Sequence, residues 1–130
     1  MDSAELVHID LTDDERVLLV QGLNEYGGPG RGAPLLTPLV GLSTAGEFDQ
    51  LRYRLMTAIE HGGALSDLDW ARALVLTEIS WASDLLGSGI DFSTSMRDEK
   101  AIVVLRGLQR KISSGHRFEL LRDNAIQPLP

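Results

Sequence analysis

The stretch that decides the fold is Ser66-Asp67-Leu68-Asp69-Trp70-Ala71-Arg72-Ala73-Leu74-Val75-Leu76-Thr77-Glu78-Ile79-Ser80-Trp81-Ala82-Ser83-Asp84-Leu85-Leu86. Ser66 followed three residues on by Asp69 has the form of a helix start, in which a hydroxyl takes a free backbone N–H and a carboxylate reaches back. At about 100° per residue the following side chains fall into a wide apolar arc. Ala73, Thr77, Ser80 and Asp84 form a narrow, mostly polar strip, with Arg72 and Ser83 on a second edge. The spacing predicts a helix from Asp67 to about Leu86, ended by Gly87 and Gly89, and this most apolar element is expected at the centre of the fold.

Three more such starts lie along the chain: Thr12 with Glu15, Thr44 with Glu47, and Ser95 with Asp98. They predict helices from Asp13 to about Tyr26, from Thr44 to about His61, and from Met96 to about Ile112. In the second of these Phe48, Leu51, Leu55 and Ile59 make an apolar stripe; in the last, Ala101, Leu105, Leu108 and Ile112 do so. A short helical turn is expected around Pro38 to Leu42, while Glu5 to Ile9 and Arg117 to Leu121 each read as a short extended segment or a disordered one, the second also as one more helical turn. Val103 falls near the charged side of the last helix, and Gly107 interrupts that helix at a cost near ~1 kcal/mol relative to alanine. The expected architecture is all-α: four main helices, the third central, in a single domain over residues 1–130, with 1–10 and 124–130 loose.

At 130 residues the chain is long enough to close a core by packing alone, and without cysteine it has neither disulfides nor thiolate chemistry. The acidic segment Met1 to Asp10 has neither the basic start nor the apolar run of an export signal, and no stretch reaches the ~20 apolar residues of a bilayer span. The expectation is therefore a cytoplasmic protein without membrane contact. A net charge of −7 disfavours direct nucleic-acid binding, which needs clustered Lys and Arg. The charge is uneven. Residues 1–49 hold nine carboxylates against Arg16 and Arg31, whereas residues 93–130 hold seven basic groups against four acidic ones. Either the two ends attract one another or the basic end meets an acidic partner.

Glu78 is the residue whose position asks for a chemical explanation, because apolar neighbours flank it on both sides of the wheel. An ionised carboxylate there must be paired and hydrogen-bonded, or its pKa must rise. The structural reading is an ion pair, with Arg52, Arg54 or Arg106 as candidate partners, or a hydrogen bond to a backbone donor; the functional one is a small-molecule-binding or catalytic pocket around Glu78, flanked by Trp81 and Asp84. Trp70 and Trp81 sit at the margin of the apolar arc, as core-edge packing or, if exposed, as binding hot spots. Asp84, Ser88 and the Gly87-Ser88-Gly89 turn can form a polar mouth beyond them.

The loop Gly27-Gly28-Pro29-Gly30-Arg31-Gly32 lacks the lysine and the preceding strand of a phosphate cradle, and reads as a surface loop with Arg31 at its tip. His8, His61 and His116 are far apart, so no metal site is expected, and neither cofactor nor catalytic residue is assigned. What remains is protein–protein association of a regulatory, adaptor or toxin-neutralising kind, compatible with homo-oligomers. Its expected contacts are Glu78, Trp70, Trp81, Asp84 and Arg31.

Overall fold

The computed structural model describes residues 5–126. Along them run β1 (Leu6–Val7), α1 (Asp13–Asn24), α2 (Ala33–Leu39), α3 (Ala45–Glu60), β2 (Leu65–Ser66), α4 (Asp67–Ala82), α5 (Asp98–Ile112) and α6 (Gly115–Asn124), with short 3-10 turns at Glu25–Gly27 and Gly89–Asp91. The chain is mostly helical, and none of the described helices is long and apolar enough to cross a membrane.

Local chemistry explains the starts. Thr12 and Thr44 make reciprocal capping boxes with Glu15 and Glu47, and Ser66 accepts the Asp69 amide at 3.2 Å. The start expected at Ser95 does not form. Arg97 takes the cap position of α5 without a side-chain bond, and Thr94 Oγ1 accepts the Met96 amide instead. Of the readings open for Arg117 to Leu121 the helical one holds, in a longer helix: the chain forms α6, capped by Ser114, whose hydroxyl accepts the Arg117 amide. The turn expected at Pro38 to Leu42 is replaced by α2, which starts earlier because Pro34 is tolerated in a first turn. Gly41, at φ +84°, follows the end of α2 in a conformation few other residues adopt.

Helices α1 and α4 form a central pair rather than α4 standing alone. α1 packs on α3, α4 and α5, while α4 packs on α1, α5 and α6. The α1–α4 crossing is tight. A Cβ on Gly22 would lie 2.8 Å from Thr77 Oγ1, and Ala73, Thr77 and Ser80 are fully buried. Thr77, read in the sequence as part of a polar strip, thus faces α1, where small side chains let two backbones approach. Leu18, Leu19 and Leu23 of α1, Phe48, Leu55 and Ile59 of α3, and Leu108 and Ile112 of α5 fill the surrounding core.

The first described residues are not loose. Leu6 and Val7 pair antiparallel with Ser66 and Leu65, and the Val7 carbonyl accepts the Trp70 indole N–H at 2.8 Å. Residues 1–4 and 127–130, also expected to be loose, lie outside the described residues.

Part of the uneven charge is met within the fold. Lys100 pairs with Asp14 at 3.2 Å and Lys111 with Glu15 at 2.5 Å, both between α5 and α1, while Arg117 of α6 reaches Asp67 of α4 at 2.9 Å. Gly107 now has a reason. One turn before Lys111, it leaves room for the buried Glu15 carboxylate, whose Oε2 would lie 2.7 Å from a Cβ at position 107. Burial pushes the Glu15 carboxyl up, but the Lys111 ammonium and the Thr12 amide outweigh it and hold the carboxyl below its usual range. Asp69 follows the same logic. Its burial is outweighed by Arg54 and Arg72, at 2.6 and 3.0 Å, so its pKa is lowered. Buried Arg52 donates to the carbonyls of Leu23 and Asn24 and so places its cation at the C-terminal end of α1.

Two measurements test these contacts. Gly107→Ala is expected to destabilise by about 1–2 kcal/mol in urea unfolding, because displacing Glu15 outweighs the gain in helix propensity. In a Glu15→Ala background the same change should be neutral or stabilising; an equal loss in both backgrounds would refute the account. Because the folded pKa values of Asp69 and Glu15 are lowered, the unfolded chain takes up protons first on acidification. Their contribution is complete above the unfolded values near ~4 and is lost as pH falls through the folded ones, so Tm should hold from about pH 7 to 5 and then drop. Asp69→Asn should cost roughly 2–3 kcal/mol at neutral pH, at or below the low end for a broken buried pair because Arg54 is largely exposed, and should flatten that acid slope.

Candidate functional site

The helix expected to reach Leu86 stops at Ala82, where Ser83 turns extended. The chain folds back on the last turn of α4 and satisfies its free carbonyls: Ser83 N–H donates to Ile79 O and Ser88 N–H to Ser80 O, both at 2.9 Å. Gly87 makes the return possible, since a Cβ there would collide with the Ile79 carbonyl. Ser83 Oγ then accepts the Leu86 amide and Asp84 Oδ1 the Ile90 amide, each at 3.0 Å. Gly89, at φ +51°, lets the turn close against Asp84.

A second loop is fixed to the first. The carbonyl of Glu25 accepts the amides of Gly28 and Gly30 at 2.9 Å, which shapes the glycine-rich segment. The buried carboxylate of the same residue accepts the Ser93 amide at 2.7 Å and the Gln21 side chain at 2.9 Å. Arg31 N–H donates to Leu86 O at 3.1 Å, and Gly32 lies so close to that carbonyl that its Cβ would come within 2.6 Å. Residues 25–32 and 83–93 are therefore joined into one end of the molecule by one backbone hydrogen bond and by the Glu25 carboxylate.

Between this end and the start of α5 is a recess of about 380 Å³, lined among others by Trp81, Asp84, Ile90, Phe92, Met96 and Asp98. Beside it Leu85 and Ile90 stand 77% and 88% exposed. Large aliphatic side chains so bare, on a loop tied at so many points, are the main apolar feature of this surface.

Of the five expected contacts, two line this recess and a third lies on the neighbouring loop. Trp81 and Asp84 share the recess, and Arg31 is exposed on the adjoining loop. Trp70 belongs elsewhere: it is 1% exposed, with its indole bound to Val7. Glu78 is half-buried in a separate groove and accepts a hydrogen bond from Gln109 at 2.6 Å, while Arg106 donates to Gln109 at 2.7 Å. The arginine pair expected for it does not form. Arg52 and Arg54 are turned to α1 and Asp69, and Arg106 reaches Glu78 only through Gln109. The groove at Glu78 holds about 180 Å³ between α4, the end of α5 and α6, below the ~300–1,000 Å³ of ordinary ligand pockets. A larger groove of about 690 Å³ runs between α2 and the start of α3, walled by Tyr26, Phe48, Pro38 and Ile126.

Sequence reasoning missed Glu25, Phe92, Asp98 and the exposure of Leu85 and Ile90. The spacing of Gly87 and Gly89 was the available signal, because a chain that must double back on a helix end cannot also continue the helix. The fold and this end together define a small, mostly helical protein with a fixed, acid-rimmed aromatic recess. Comparison with protein-family models, curated proteins and solved structures finds no match.

The Asp84 bond to Ile90 can be tested by amide exchange. Asp84→Ala should speed exchange at Ile90 by roughly five- to tenfold, equivalent to about 1 kcal/mol, while Asp84→Asn, which keeps the acceptor, should not. Equal exchange in all three proteins would show that this bond does not hold the loop.

Proposed function

We propose that the protein acts through protein–protein association, in a regulatory, adaptor or toxin-neutralising role, with the end formed by residues 25–32 and 83–93 as its contact surface. The observation that carries this reading is the exposure of Leu85 and Ile90 on a loop held by its own hydrogen bonds. Burying either side chain against a partner is worth about 1.5–3 kcal/mol. Trp81 beside them and Arg31 on the adjoining loop are of the residue types that dominate binding energy at interfaces. The partner is a second protein chain, with self-association as its simplest form, in keeping with a cytoplasmic setting.

A ligand or catalytic pocket around Glu78 draws less support. The groove is small, and the carboxylate is already engaged by Gln109.

The test is site-specific photo-cross-linking in the native host, with a photoreactive amino acid at position 90 and, as control, at position 60 on α3. Position 90 should give one discrete protein adduct, whose mass tells a second copy of this chain from another protein, and position 60 none. Adducts of equal yield from both positions, or none from position 90, would remove this end from the reading.

A further inference from the structure

The recess beside Leu85 and Ile90 carries two carboxylates on different elements, Asp84 in the loop after α4 and Asp98 in the first turn of α5. Its remaining walls include the rings of Trp81 and Phe92 and the thioether of Met96, and no lysine or arginine lines it. Arg97, the nearest basic residue in sequence, lines a separate groove with Asp14 and Val17. Neither Asp84 nor Asp98 forms an ion pair among the described residues, and only one Asp84 oxygen is occupied, by the Ile90 amide.

Aromatic faces attract cations through their quadrupole, and carboxylates supply the full opposite charge. Of the two cationic side chains, guanidinium is planar, weakly hydrated and able to stack on a ring while donating sideways to carboxylates; ammonium is compact and holds its water more tightly. The chain's net charge of −7 adds a long-range attraction of the same sign.

We infer that this recess receives an arginine side chain of the protein partner, its guanidinium between the Trp81 and Phe92 walls and its donors on Asp84 and Asp98. The inference rests on the association reading above and adds the chemistry by which the partner is recognised. Apolar side chains flanking that arginine would meet Leu85 and Ile90.

The test titrates the isotope-labelled protein with n-butylguanidinium, n-butylammonium and the neutral n-butylurea, following backbone and indole N–H resonances. The Trp81 indole and the amides of Asp84, Phe92 and Asp98 should shift and saturate with butylguanidinium on the order of millimolar, and more weakly with butylammonium. Butylurea should not saturate them. The Trp70 indole, bound to Val7 inside the fold, is the internal control and should stay still. Asp84→Asn with Asp98→Asn, which keeps the acceptor for Ile90, should weaken butylguanidinium at least tenfold with an unchanged far-UV spectrum and an unchanged Trp70 resonance. Equal saturation by butylurea, tighter binding of butylammonium, or an unaltered titration in the double variant would each overturn the assignment. If butylguanidinium fails to bind while position 90 still gives its adduct, association stands and the arginine inference falls. If butylguanidinium saturates the recess but position 90 gives no adduct, the partner is overturned and only a cation site remains.

Discussion

The contact between Gly22 of α1 and Thr77 of α4 is the constraint on which the arrangement depends. No side chain fits between them, so the two helices meet at a separation that larger residues would forbid. Each member of the pair then collects its own neighbours: α3 against α1, α6 against α4, and α5 against both. Tyr26, at the end of the same helix, fastens the pair a second time by donating its hydroxyl to Leu76 O at 2.6 Å, and burial there pushes its own pKa upward.

Electrostatics supplies the orientation that packing alone leaves open. The acidic start of α1 meets α5 through Lys100 and Lys111, and the cationic Arg52 lies at the opposite end of α1, where the helix dipole is negative. Fixing α1 at both ends also fixes Glu25, which follows it directly, and through Glu25 the two loops of the candidate site. Function at this end would then depend on residues buried well behind it.

What the sequence disclosed depends on three or four consecutive residues, although the pattern at Ser95 and Asp98 shows that such a match need not form. The caps at Thr12 and Thr44 are local geometry and could be read, as could the apolar stripe of α3 and the start at Ser66. The length of α6 and the pairing of β1 with β2 could not, since both draw on partners distant in the chain: α6 packs on α4, and β1 pairs with residues about sixty positions later. Glu78 shows how one misjudged helix end spreads. Leu85 was its neighbour on the wheel, but α4 stops at Ala82, so one of the two apolar flanks is absent and the carboxylate is left half-buried beside Gln109. Thr77 and Ser80 failed in the opposite sense, because their small size suits close packing even though both hydroxyls are buried without a hydrogen-bond partner. Of the candidate site, Trp81, Asp84 and Arg31 were legible by residue type; their placement at one end was not, because it depends on Glu25 and on the doubled-back chain.

The double attachment made by Glu25 has a thermodynamic consequence. A recognition loop that moves freely must surrender its conformational entropy when it is captured, at about 1–2 kcal/mol for each residue newly fixed. Here the glycine-rich segment and the segment after α4 are ordered when the core forms, so that loss falls on folding. Any visitor to this end meets a surface already at low entropy, and its affinity reflects the contacts it makes with little deduction for settling the host.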